Sequence, residues 1–311
     1  MADYVFGVDV GGTTIKMGLF DTQGTVIDKW EIPTRTENGG ENVLPDIAGA
    51  VDAKCREKSI GKDAVAGIGI GVPGPVDSRG VVHKCVNLNW GVFNLNEKLS
   101  GMTGIPVKAG NDANVAALGE MWKGGGQGFD SIVMVTLGTG VGGGIITDGK
   151  ILTGSIGAGG EIGHIHVTDG EQEPCGCGNH GCLEQYASAT GLVRLANREL
   201  SHNTDETVLK KDECSAKDIW DAVKAGDKVA IRVAEQFGEI LGKGLASVAC
   251  VVNPQAFVIG GGVSKAGEII LSYIEKNYTP FVFHASRDVK FVLATLGNDA
   301  GIYGAARLVL S

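Results

Sequence analysis

Asp9-Val10-Gly11-Gly12-Thr13-Thr14-Ile15-Lys16 joins two apolar, β-branched runs, Tyr4–Val10 and Ile15–Phe20. Two such runs parted by a glycine pair read as strands around a tight turn. With Thr25–Glu31 behind them they form a β-meander that opens a domain. The turn is made of small residues. Backbone N–H groups and the Thr13 and Thr14 hydroxyls can therefore approach phosphate oxygens that a bulky side chain would hold away. Asp9, at the end of a strand, can hold Mg²⁺ directly or through water, and Lys16 can add a point charge. The stretch is not a Walker loop, which needs Gly-Lys-Ser/Thr entering a helix. Taken alone it reads equally as an ordinary hairpin.

The pattern returns half a chain later. Ser131–Leu137 reads as a strand, Gly138-Thr139-Gly140 as a turn and Val141–Thr147 as a second glycine-rich strand. Two such turns at matched positions would grip one triphosphate from both sides, which points to ATP. Val258-Ile259-Gly260-Gly261-Gly262-Val263-Ser264 is a strand running into a third glycine turn, where a flat ring can lie on backbone. Between these stretches, Glu41–Lys58 places Val43, Ile47, Val51 and Cys55 on one helical face. Val65–Val72 is a buried strand stopped by Pro73-Gly74-Pro75. A short strand, Val107–Ala109, leads to Gly110-Asn111-Asp112 and a helix to about Trp122, with Asn111 or Asp112 near its N-cap. Lys123–Gly128 reads as a flexible boundary. Helices are expected from Ala189, from Ala216, from Asp227 to about Val252, and over Gly301–Leu310. Strands are expected over Gln255–Ile259 and Lys290–Leu296.

Composition narrows the partners. The chain has 311 residues, with 27 Lys plus Arg against 36 Asp plus Glu, for a net charge of −9. An acidic chain lacks the field for non-specific nucleic-acid or anionic-membrane binding. Gly is abundant at 50 residues but not at every third position, which excludes collagen. No basic n-region or long apolar run marks a secretory signal. The odd count of seven Cys, three of them crowded between Cys175 and Cys182, indicates a metal site in a reducing cytoplasm rather than a disulfide framework. Three thiolates and one imidazole make a closed tetrahedral zinc site, structural because no coordination position stays open. His164, His166 and His180 compete for the fourth place.

Asp9–Lys16, Gly138–Gly144 and Val258–Ser264 resemble, in order and spacing, the phosphate-1, phosphate-2 and adenosine segments of the actin/Hsp70/sugar-kinase superfamily. The segment Glu161-Ile162-Gly163-His164, followed by Cys175-Gly176-Cys177-Gly178-Asn179-His180-Gly181-Cys182-Leu183-Glu184, resembles the ROK family (repressors, open reading frames and kinases) and, within it, the bacterial glucokinases. The resemblance implies an α/β fold of two actin/Hsp70/hexokinase-like (ribonuclease H-like) domains flanking a central cleft. The small domain would be residues 1–122 with a C-terminal helix at 299–311; the larger would be 123–298, with a zinc-binding segment at 164–182.

The same resemblance implies an ATP-dependent hexokinase, with Mg²⁺, structural Zn²⁺ and a cytoplasmic homodimer. Asp112 maps to the catalytic base. Gly71, Asn87, Asn111, Asp112, Glu161, His164 and Glu184 map to the sugar. Asp9, Gly11, Gly12, Thr13, Thr14, Lys16, Gly138, Thr139, Gly140, Gly261 and Gly262 map to the nucleotide, and His164, Cys175, Cys177 and Cys182 to zinc. The unbroken Glu-x-x-His and Val86-Asn87-Leu88-Asn89-Trp90 favour glucose over N-acetylmannosamine, N-acetylglucosamine or fructose. A sugar-responsive repressor would need a helix-turn-helix before the first turn, and Asp9 leaves it no room. A chaperone-type ATPase would lack the sugar residues.

Overall fold

The structure, a computed structural model, describes residues 2–311. It opens with β1 (Tyr4–Val10), β2 (Thr14–Asp21) and β3 (Val26–Pro33), then a helical turn α1 (Glu37–Gly40) and α2 (Val43–Glu57). Next come β4 (Val65–Val72), two short strands β5 (Val81–Val82) and β6 (Phe93–Asn94), α3 (Leu95–Thr103), β7 (Val107–Asn111) and α4 (Asp112–Lys123). The chain continues through β8 (Ile132–Leu137), β9 (Val141–Thr147), β10 (Lys150–Ile151), α5 (Glu184–Ala187), α6 (Ala189–His202), α7 (Ala216–Lys224) and α8 (Lys228–Val252). It ends with β11 (Ala256–Gly260), α9 (Ile269–Tyr278), β12 (Lys290–Leu293) and α10 (Ala300–Leu310). Among the described residues, no helix is long and apolar enough to cross a membrane.

The two five-stranded sheets share one topology: β3-β2-β1-β4-β7 and β10-β9-β8-β11-β12. Each begins with an antiparallel meander and adds two parallel strands, which is the internal duplication expected from the two glycine turns. In the first sheet β1 pairs with β2 antiparallel and with β4 parallel, and β4 with β7 parallel. β4 is buried along nearly its whole length, as its unbroken apolar run requires, whereas β3 alternates between half-buried and exposed. Val43, Ile47, Val51 and Cys55 all face the core from α2.

Two compact units result. One runs through Asp130 and takes in Gly144–Gly160 and Leu296–Ser311; the other is Ser131–Gly143 with Glu161–Thr295. Residues 123–130 and 144–160 thus pack with the first unit, where sequence reasoning assigned them to the second. Lys123–Gly128 is also not a loose linker. The Glu120 carbonyl accepts from Gly124 N and Gly126 N at 3.0 Å each, and its fully buried carboxylate accepts from Gly125 N at 2.9 Å. The glycines allow that wrap because a Cβ on Gly124 would strike the Glu120 side chain.

In the first unit α10 lies directly on β1, β4 and α4. A Cβ on Gly7 would overlap the Ile302 carbonyl, and one on Gly69 the Ala305 carbonyl. The same holds for Gly119 against Ala300 and for Gly304 against Val115. Helix and strands meet backbone to backbone, and only glycine permits it. Gly69→Ala is expected to lower stability by about 1–3 kcal/mol through overpacking. Gly49→Ala, exposed on α2 where an added Cβ meets nothing within 4 Å, should raise it by about 0.5–1 kcal/mol. Urea midpoints of the two variants check both signs.

Candidate active site and cysteine cluster

Three parallel strands of the first unit end side by side. Asp9 of β1 is in register with Gly71 of β4, which is in register with Gly110 of β7. One residue further, Asn111 caps α4: its Oδ1 accepts from Asn114 N at 3.2 Å and its Nδ2 donates to Gly74 O at 3.2 Å. Asp112 is the first helical residue and accepts from Ala113 N at 2.8 Å. The cap is therefore Asn111, which leaves Asp112 presented at the strand ends. Gly71 lies under it, its Cβ position 3.6 Å from the Asp112 Cα.

Burial and then the charge of Asp112 push the Asp9 carboxyl up to about 6, against a smaller opposing pull from Lys16. The surroundings leave no slack, since a Cβ on Gly301 of α10 would strike this carboxyl. A partly buried carboxylate repelled by a second one suits a divalent cation, the donor chemistry that Mg²⁺ prefers. The Gly11–Thr14 turn closes through Gly11 N to Thr14 O at 3.0 Å, and Thr34 takes up two of its carbonyls: Thr34 Oγ1 donates to Gly11 O at 2.8 Å and Thr34 N to Thr13 O at 2.9 Å. Gly11, Gly12 and Thr13 are exposed, and the Gly12 Cβ position is open space. Lys16 donates to Asn298 O at 3.0 Å, just before α10. Asn87 stands exposed on a helical turn.

The second unit holds the remaining groups. Its glycine turn closes through Gly138 N to Gly140 O at 3.0 Å. It is fastened from the α6 start, where Ala189 N donates to Gly138 O at 2.7 Å and the Thr190 hydroxyl to Thr139 O at 2.8 Å. Sequence reasoning missed this fastening, although Ser188, a serine directly before a predicted helix, signalled the α6 cap. Glu184 Oε2 accepts from Val141 N at 3.1 Å, and a Cβ on Gly140 would collide with it. Glu184 Oε1 accepts from the Cys175 thiol at 3.3 Å.

His164, Cys175, Cys177 and Cys182 bring their donor atoms within 4.8 Å of one another. Cys177 Sγ and Cys182 Sγ are 3.7 Å apart, and Cys175 Sγ and His164 Nδ1 are 3.8 Å apart. A tetrahedron with zinc–ligand bonds of about 2.0–2.3 Å has edges of roughly 3.3–3.8 Å, and both of these separations match it. Burial and the neighbouring thiols push Cys182 up to about 12, so thiolates coexist here only beside a cation. His166 commits both ring nitrogens elsewhere, to His180 O and to Asp169, each at 2.9 Å. His164 keeps its Nε2 on the far side, 4.0 Å from the exposed Glu161 carboxylate.

The third glycine stretch ends β11. Gly261 has φ +86°, and a Cβ there would sit 2.5 Å from the Leu137 carbonyl oxygen. Gly262 has φ −62° and open space around its Cβ position. It borders a cavity of about 180 Å³ whose other wall is α7, with Ala216, Lys217, Trp220, Asp221 and Lys224. The Trp220 indole N–H is buried there without an acceptor among the described residues. The helix was expected but its facing wall was not, because its pattern carries no phosphate or metal chemistry.

The ROK family pattern matches residues 5–311. This chain belongs to the ROK family. It is 45% identical over 309 residues to a glucokinase of Halalkalibacterium halodurans, covering 97% of this chain and 94% of that protein. A glucokinase of Thermotoga maritima is 37% identical, over 98% of this chain and 96% of the other. A ROK glucokinase of Streptomyces griseus, solved with glucose and AMPPNP, is 36% identical with a TM-score of 0.74, covering 98% of each chain. The two α/β units are thus those of the actin/hexokinase-like fold of ROK sugar kinases.

Asp9 gives a pH test. Its folded pKa of about 6 exceeds its ordinary 3.8, so its favourable contribution is present below about pH 4 and lost as pH rises through 6. In protein free of metal and nucleotide, Asp9→Asn is expected to gain stability at pH 7, by up to about 3 kcal/mol. Near pH 4 the gain should vanish. Denaturation midpoints at the two pH values decide it, and a pH-independent difference would refute the burial argument.

Proposed function

We propose that this protein transfers the γ-phosphoryl group of ATP to the 6-hydroxyl of D-glucose. The observation that carries the reading is Asp112, set at the head of α4 beside the ends of β1 and β4, in a chain similar over its whole length to glucokinases. Phosphoryl transfer has a loose transition state, so positioning outweighs basic strength. The sugar hydroxyl gives its proton to Asp112 as its oxygen bonds to the γ-phosphorus, and the bond to ADP breaks. Asn111 holds the start of α4, and thereby Asp112, to the Gly74 carbonyl.

Asp9 is the residue that would hold Mg²⁺, which supplies neutralisation of phosphate charge when bound. Gly11, Gly12, Thr13, Thr14, Gly138, Thr139 and Gly140 offer backbone and hydroxyl donors to phosphates, and Lys16 a positive charge. Gly261, Gly262 and the α7 wall take the adenosine. Gly71, Asn87, Asn111, Glu161, His164 and Glu184 form the sugar set. His164, Cys175, Cys177 and Cys182 would hold a structural zinc. Four protein donors leave it no open position, so it supplies order and not Lewis acidity. A homodimer completes the reading.

Asp112→Asn keeps the Oδ1 acceptor for Ala113 N, so the helix start survives. We expect kcat to fall about 10²–10⁴-fold with glucose binding retained, measured by coupled kinetics and calorimetry. Near-normal turnover would remove the base assignment. Faster phosphorylation of N-acetylmannosamine or fructose by the unaltered protein would displace glucose as substrate.

Gly262→Leu meets no backbone strain and places its side chain at the cavity. We expect KM for ATP to rise at least about tenfold, ~1.4 kcal/mol of binding, with KM for glucose unchanged. An unchanged KM for ATP would move the adenosine elsewhere.

A further inference from the structure

The loop entering the cysteine cluster carries a buried carboxylate that none of the assignments above uses. The Glu171 side chain is only 4% exposed. It accepts from the Tyr186 hydroxyl at 2.5 Å, from Glu173 N at 3.0 Å and from Arg198 Nη2 at 3.1 Å, and Arg194 Nη2 lies 2.6 Å away. Arg194 Nε also stands 3.0 Å from Glu173 Oε2. The Arg194 N–H bonds do not point along these contacts, so Arg194 acts there as a charge, stacked 5.5 Å over the Tyr186 ring. A relay then runs to the cluster. Gln185 Nε2 donates to Glu173 O at 2.9 Å, and Gln185 Oε1 accepts from Cys182 N at 3.1 Å.

We propose that Glu171, clasped by Tyr186, Arg194 and Arg198, is a positioning residue of the cysteine cluster, ordering the Cys175–Cys182 turn before metal binds and thereby raising its metal affinity. This rests on the zinc reading given above. The turn is also held from its far side, by Val167 N donating to Gly181 O at 2.8 Å and by His166 against His180 O at 2.9 Å. Its internal backbone bonds are Cys175 N to Asn179 O and Gly178 N to Cys175 O, and Cys177 at its tip is exposed. The clasp sits on α5 and the capped helix α6. A preordered donor set loses less freedom on binding and so binds more tightly. Outer partners of metal ligands commonly contribute 10–100-fold in affinity. Burial alone would raise the Glu171 pKa. The phenol, the Glu173 N–H and the two guanidinium groups reverse that and hold it at about 2, so the carboxylate is charged at neutral pH. The same clasp fixes α5, whose first residue is Glu184.

The test uses Glu171→Gln, which keeps the shape and an acceptor, and Glu171→Ala, which removes both. Zinc affinity is read by competition with a chromophoric chelator. Amide exchange over residues 165–187 is read on chelator-stripped protein, where no metal contributes. We expect zinc affinity to fall roughly tenfold in Gln and up to about 100-fold in Ala. In both stripped variants, exchange should quicken at Cys182 and Gln185. Variants that bind zinc as tightly as the unaltered protein would overturn the proposal, as would unchanged exchange in the stripped state. If the unaltered protein takes up no zinc, and Cys177→Ser changes nothing, the zinc reading falls. The ordering role of the clasp is then judged by exchange alone.

Discussion

The carbonyl oxygens of the last helix lie where the side chains of Gly7 and Gly69 would otherwise begin. That approach fixes β1 and β4 against α10, and Gly119 and Gly304 fix α4 against it in the same manner. Asp9 and Asp112 owe their placement to this packing. One ends a strand that α10 covers, the other begins a helix that α10 touches along its length. Dense interiors transmit small displacements, and an orienting base tolerates few of them. Composition alone reads the abundance of glycine as many turns or as backbone brought close to ligands, and four of these glycines are instead the means of this contact.

The same economy appears where carboxylates crowd. Asp9 is held charged only against burial and the nearby Asp112, a cost in the empty protein that a divalent cation would relieve. Glu171 is the opposite case, a carboxylate with little exposure but surrounded by cations and donors. Charge arrangement separates the two roles: the strained site is where chemistry is proposed, and the satisfied one is where order is needed.

Much of this was legible in the sequence because it rests on local rules. Glycine pairs between apolar runs gave both meanders, and the four-residue step of Val43, Ile47, Val51 and Cys55 gave the buried face of α2. Cysteine spacing alone picked out the cluster. What stayed hidden was tertiary. Gly124, Gly125 and Gly126 look like a linker until the buried Glu120 beneath them is known. The α7 wall of the cavity carries no signature, since shape and not chemistry places it there. The choice among His164, His166 and His180 could not be made from spacing. Placement favours His164, whose Nδ1 lies 3.8 Å from Cys175 Sγ, over His166, which has both nitrogens engaged, and over His180, which lies outside the cluster.

That choice has a chemical consequence for the proposed sugar set. With Nδ1 of His164 turned to the thiols and bound to the proposed zinc, the ring's other nitrogen would carry the proton, as a neutral imidazole ligand requires. Nε2 is then a fixed donor, and the Glu161 carboxylate, 4.0 Å from it, is a fixed acceptor. A sugar hydroxyl donates once and accepts through its lone pairs, so one fixed donor beside one fixed acceptor matches it in a single orientation. The orientation of that hydroxyl would thus be written in a tautomer, and the cysteine cluster would serve recognition by holding one ring still.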